Sequence, residues 1–283
     1  MKKITSFVFP VMAVLFAIVC IFTGHHAHAI FAVTPMLGAQ DMRLAYINAY
    51  RSLAKAAGNN PALMPNTANR VLSQSFLRSE VLINPNKTSY QVGINVNQIY
   101  NGQQTIYQEE NRLNLQDMFF VSQIGYYLRV LSTTGGNTTY SNQLFTHFPG
   151  QFYGSTGIDL NQTDALWNGT LNLSVNNRTI VNSWDLWRHR EVPETQYPVF
   201  SSTVAGEQYP VNDEQCGSQS GMYPVEPMWV LDGSLDNQMQ LLYNEALNNV
   251  IPTTFTVHMV ILMRGILAQN CGKIMEAGIL PSM

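Results

Sequence analysis

Ser89-Tyr90-Gln91-Val92-Gly93-Ile94-Asn95-Val96-Asn97 is the stretch that decides the fold class. Tyr90, Val92, Ile94 and Val96 alternate with Ser89, Gln91, Gly93, Asn95 and Asn97. That period of two is the signature of a strand with one face in a core and one in water. The same signal recurs outward in both directions. In Met118 to Val130 the even positions Met118, Phe120, Ile124, Tyr126, Leu128 and Val130 are apolar, while the odd ones mix Asp117, Gln123 and Arg129 with Phe119, Val121 and Tyr127. This reads as a long strand inside a sheet. In Gly169 to Val181, Leu171, Leu173 and Val175 alternate with Thr170, Asn172, Ser174 and Asn176. Asn176-Asn177 then turns the chain into a hairpin, because asparagine tolerates positive φ.

Thr253 to Leu267 is apolar on both parities, and its β-branched start favours a central strand over a helix. With shorter segments added, strands are predicted near 79–84, 89–97, 117–131, 168–175, 178–183, 228–231, 238–243 and 253–267. About eight strands is the number in one jelly roll, and two jelly rolls would need twice as many. The fold class is therefore all-β, a jelly-roll sandwich, single rather than double. Gln40 to Ala57 reads instead as an amphipathic helix, with Met42, Tyr46, Tyr50, Leu53 and Ala57 on its apolar stripe and Gly58-Asn59 at its end. The expected organisation is a leader over 1–29, a helix and linker over 30–77, and a jelly-roll domain over 78–283. The long connections Thr133 to Leu160 and Val192 to Pro227 are of a length that usually carries function.

Lys2-Lys3, the apolar run Phe7 to Phe22 and Ala27-His28-Ala29 form the basic, apolar and small-residue pattern of a secretory signal peptide, with cleavage expected after Ala29. Sixteen helical residues cover only about 24 Å, short of a bilayer core of about 30 Å. A retained membrane-contacting segment is the alternative. His25, His26 and His28 sit in this leader without a carboxylate or thiolate beside them, so no metal site is expected.

Charged residues make up only 12% of the chain, so neutral amides must solvate much of the surface. A surface of this kind suits packing against copies of itself, and it equally suits an extracellular binding module. The net charge of −3 and the lack of clustered Lys and Arg argue against sequence-specific nucleic-acid binding. Cys216 and Cys271 either pair or stay as free thiols.

Candidate chemistry is sparse. Gly217-Ser218-Gln219-Ser220-Gly221 has glutamine where a nucleophile elbow needs serine. Asp185 and His189 stand four apart and could pair an acid with a base, but Trp184, Trp187 and Pro193 around them favour a packed loop or strand end. Glu109-Glu110 and the pair Asp232 and Asp236 lack metal-loop spacing and read as turns. The sequons at Asn86, Asn137, Asn161, Asn168, Asn172 and Asn177 follow from the abundance of asparagine. No catalytic, cofactor-binding or metal residue is assigned, and the chain is expected not to be an enzyme.

Arg112-Leu113-Asn114-Leu115-Gln116-Asp117-Met118-Phe119-Phe120, followed by Ile124-Gly125-Tyr126-Tyr127-Leu128, resembles the strand opening of major capsid proteins from tailless icosahedral bacteriophages. So do Leu166-Trp167-Asn168-Gly169-Thr170-Leu171 with the downstream Val192-Pro193-Glu194-Thr195-Gln196, and the terminal Val260-Ile261-Leu262-Met263-Arg264-Gly265. The resemblance spans roughly Arg78 to Cys271. It implies a jelly roll, self-assembly as trimers or larger units into an icosahedral shell, and location in the virion. Further partners it implies are other virion proteins and an internal membrane. The competing expectation is an exported bacterial binding module, secreted or at the cell surface, with Tyr153, Trp184, Trp187 and Tyr223 as platforms for glycans or another surface ligand.

Overall fold

The computed structural model describes residues 34–58, 60–67, 69–84, 86–98, 110–132, 139–140, 144–147, 164–191, 221–247 and 255–280. The leader, its three histidines, Glu109, Tyr153, Cys216 and most of the two long connections lie outside them. The chain divides into two compact units, Met1–Leu44 and Ala45–Met283. The described part of the first belongs to helix α1, Thr34–Ala57. Among the described residues no helix is long and apolar enough to cross a membrane.

α1 starts earlier than its sequence pattern suggests, and of the expected stripe Met42, Leu53 and Ala57 are buried. Within the second unit, Ala45, Ala49, Leu53 and Ala57 are the buried positions, while Tyr46 and Tyr50 are only half-buried. Tyr46 keeps its hydroxyl at the surface, where it accepts from Asn66 Nδ2 at 2.9 Å. Gly58, at φ +58°, ends the helix as a left-handed cap, its N–H bonding the Ala54 carbonyl at 3.2 Å.

The second unit is an antiparallel β-sandwich. Its strands are β1 (Leu72–Leu82), β2 (Ser89–Gly93), β3 (Met118–Ser132), β4 (Thr139–Tyr140), β5 (Gly169–Val175), β6 (Arg178–Asp185), β7 (Met222–Asp232), β8 (Asn237–Tyr243), β9 (Phe255–Ala268) and β10 (Gly278–Ile279). One sheet has the order β1-β9-β3-β7-β10 with β4 beside β3, and the other has the order β2-β8-β5-β6. All eight segments read as strands contain one. β3 and β9 are central, as their doubly apolar sequences suggest, and are buried on both faces along most of their length.

A single hydrophobic core lies between the sheets. The β2-β8-β5-β6 sheet contributes Val92, Leu171, Leu173, Val175, Met239 and Leu241, and the larger sheet contributes Val81, Phe119, Val121, Ile124, Tyr126, Leu128, Met259 and Ile261. β3 reaches this core with odd residues up to Val121 and with even residues from Ile124 onward. The cause is a bulge between Val121 and Gln123, where the pairing with β9 and with β7 shifts register. One extra residue exchanges the faces of the strand, so the even-numbered apolar series does not lie on a single face.

Two further departures have local causes. The alternation at 89–97 outlasts its strand, since β2 ends at Gly93, Ile94 and Asn95 remain buried, and Val96 is exposed. The ladder stops after Gly93, where the Ile94 and Asn95 N–H groups turn to Gln98 Oε1 at 2.8 and 3.0 Å, and the Arg112 guanidinium packs over the Gly93 Cα, leaving no room for a side chain. β1 begins at Leu72 rather than 79, because its first residues are held by cross-strand pairing, Leu72 opposite Ala268, rather than by their own alternation. The Asn176-Asn177 hairpin is present as read, with φ of 50° and 65° closing β5 on β6.

Candidate functional site

The residues with acid–base potential occupy structural positions. Asp185 caps the 3-10 turn Leu186–His189, its Oδ1 accepting the Trp187 N–H at 3.0 Å. His189 is fully buried at the other end of that turn. The Trp184 indole N–H donates to its Nε2 at 2.9 Å, so the ring proton sits on Nδ1, which lies 2.7 Å from the Gly221 carbonyl and donates to it. Trp184 stacks on the imidazole and meets Trp229 edge-on at 5.6 Å. Both ring nitrogens are therefore committed to holding loop ends against the sandwich.

Burial is the main cause that lowers the pKa of His189, and also of His147, whose Nδ1 lies 3.2 Å from the Glu191 carbonyl. The unfolded chain then takes up protons that the folded chain refuses. The histidine contribution leaves stability intact above the ordinary imidazole pKa of about 6.5 and lowers it as pH falls below that value. An NMR titration of the imidazole resonances is expected to place the His189 midpoint below that of a free histidine, and a midpoint at or above it would contradict the assignment. His189→Ala strands an indole N–H and a carbonyl and opens a void. Urea titration should report a loss of about 2–4 kcal/mol.

The carboxylates are likewise committed to backbone and side-chain partners. Asp232 accepts the Ser234 N–H at 2.8 Å and the Lys273 N–H at 2.7 Å. Asp236 accepts from Gln98 at 3.1 Å and Gln238 at 2.6 Å. Glu110 grips Arg112 through both carboxylate oxygens at 3.0 Å. Among the described residues no group of three His, Cys, Asp or Glu stands close enough together to hold a metal ion. Cys271 is a buried free thiol, 3.3 Å from the Gln269 carbonyl, and burial raises its pKa.

Inside the core, the Tyr126 hydroxyl donates to the Leu166 carbonyl at 2.9 Å and lies 3.0 Å from the Tyr243 hydroxyl. Tyr90 meets the Tyr243 ring edge-on, and burial pushes its phenol up to about 12. These tyrosines stay protonated, and Tyr126 and Tyr243 bind the turn Asp164–Trp167 to the sandwich through the Leu166 carbonyl.

Of the aromatic platforms, Trp184 is closed by its stacking partners, whereas Trp187 and Tyr223 remain exposed, and Arg190 covers one face of Trp187 at 5.0 Å. The concave feature that the sequence did not single out is the outward face of β2-β8-β5-β6. Gln91 pairs opposite Gln240, which pairs opposite Asn172, placing three amides in one row across the sheet. Ser174 and Gln238 form the next row, and Thr179 and Asn182 on β6 complete a groove of about 540 Å³. The polar half of each strand's alternation is its trace in the sequence, but the rows exist only once the strands are in register.

Compared with known proteins, the chain matches no family model, and no curated protein matches it in sequence.

Proposed function

We propose that this chain is a single jelly roll and a non-enzymatic structural subunit, a major capsid protein that self-assembles into an icosahedral virion shell. The observation that carries this reading is the nesting of strand pairs. β1 pairs with β9, β2 with β8, β3 with β7 and β5 with β6, so the chain behaves as one long hairpin folded over into two sheets. Joining β9 to β3 and β8 to β5 then closes the two sheet orders. That wrapping of eight strands supports a jelly-roll reading, an architecture common among viral shells.

Low charge supports the same reading. Copies of a subunit with 12% charged residues meet with little repulsion and many amide hydrogen-bond groups. The free edge of β1 is blunted by its own chain, which suits assembly through loops and faces rather than through uncontrolled strand addition. Asn111 exchanges backbone bonds with Arg78, and the Glu110 carboxylate takes the Glu80 N–H at 2.9 Å.

Purified full-length protein examined by size-exclusion chromatography with light scattering and by electron microscopy should form trimers or closed particles. A strictly monomeric species that forms no assembly at any concentration would overturn the reading.

A further inference from the structure

The outward groove of the β2-β8-β5-β6 sheet has no charged side chain among its lining residues. We propose that it binds a neutral saccharide, a function that does not depend on shell assembly. Its amides are arranged to serve hydroxyl groups. Asn172 has its Oδ1 tied to the Ser183 N–H at 2.8 Å, which fixes the side chain and leaves its N–H donors facing out. Gln240 donates to Ser89 Oγ at 2.7 Å, which fixes that side chain and leaves its carbonyl as an acceptor. Gln91 and Asn182 make no side-chain hydrogen bond within the described residues and offer both kinds of atom.

A ligand that satisfies this row must donate and accept at every contact, at steps of about 4.8 Å between strands. Sugar hydroxyls do both, and the half-tethered amides have already lost part of the freedom that binding would otherwise cost. Phosphate and carboxylate ligands have no cation to meet here, and a metal ion has no carboxylate. An extended peptide gains its affinity from backbone edges, whereas a sheet face presents side chains alone. The volume of about 540 Å³ lies within the range of small-ligand sites.

The test uses saturation-transfer NMR on the full-length protein with neutral trisaccharides of glucose, galactose, mannose and N-acetylglucosamine. Sialyllactose and a blocked tetra-alanine peptide serve as comparators. At least one neutral trisaccharide should bind, and the double variant Gln91→Ala, Asn182→Ala should weaken that binding about fivefold or more. Both side chains are exposed, so the thermal melt of the variant should match the parent. Binding by none of the neutral trisaccharides, equal binding of sialyllactose or the peptide, or binding unchanged in the double variant would each overturn the proposal.

Discussion

Gly265→Ala is expected to destabilise the protein by about 3 kcal/mol or more, a large effect for a single methyl group. Gly265 lies on β9 opposite Val121, at the point where the bulge in β3 shifts the register. A Cβ built there would stand 1.8 Å from the Phe120 carbonyl oxygen. That oxygen belongs to the central strand, which is anchored by β9 on one side and β7 on the other. Relief requires separating β3 from β9, the most extensive strand pair of the fold, and the flanking Phe119, Phe120 and Val121 have no exposed space to move into. Urea unfolding followed by tryptophan fluorescence should show a much lower midpoint with an unchanged slope. A midpoint within error of the parent would mean that the bulge does not hold the strands as closely as described.

Glu80→Ala should cost about 3–5 kcal/mol, because it removes a buried carboxylate that two guanidiniums share. The Glu80 side chain is fully buried on β1 and forms ion pairs with Arg78 at 2.6 Å and with Arg129, across β9 on β3, at 2.8 Å. Arg129 is itself only 5% exposed, and His258 Nδ1 stands 3.8 Å from the same carboxylate. Glu80→Gln preserves volume and hydrogen-bonding atoms while removing the charge, so it should fall between parent and alanine variant. Equal stability of all three proteins would show that the pairs contribute nothing. Loss in Glu80→Ala with full retention in Glu80→Gln would show that hydrogen bonding rather than charge is what matters.

These two sites also mark where sequence reading stops. Arg129 and Glu80 sit at positions that a period-two pattern assigns to solvent, yet both are buried. Nothing local distinguishes a polar residue facing water from one facing a partner charge on a strand far away in the chain. Gly265 lies inside a stretch that reads simply as a strand, whereas its role depends on the carbonyl of Phe120 more than a hundred residues earlier. His189 and Asp185 were legible as a packed loop or strand end, because the interleaved tryptophans carried that signal. The amide groove was half legible. Gln91, Asn172 and Ser174 show in sequence as the polar side of their strands, but their alignment into rows follows from pairing.

Local residue pattern was enough to find most elements. Alternation and apolar runs placed eight strands, doubly apolar segments marked β3 and β9 as central, and two asparagines specified the hairpin, because side-chain period and backbone φ are properties of consecutive residues. Long-range packing set the order of strands in each sheet, the exchange of faces at the β3 bulge, the burial of Ala45 and Ala49 on the helix, and the burial of Glu80 with Arg129. The physical reason is the same in each case. These features are set by contacts between residues distant in the chain, whose free energy depends on what each strand meets across the sheet and across the core.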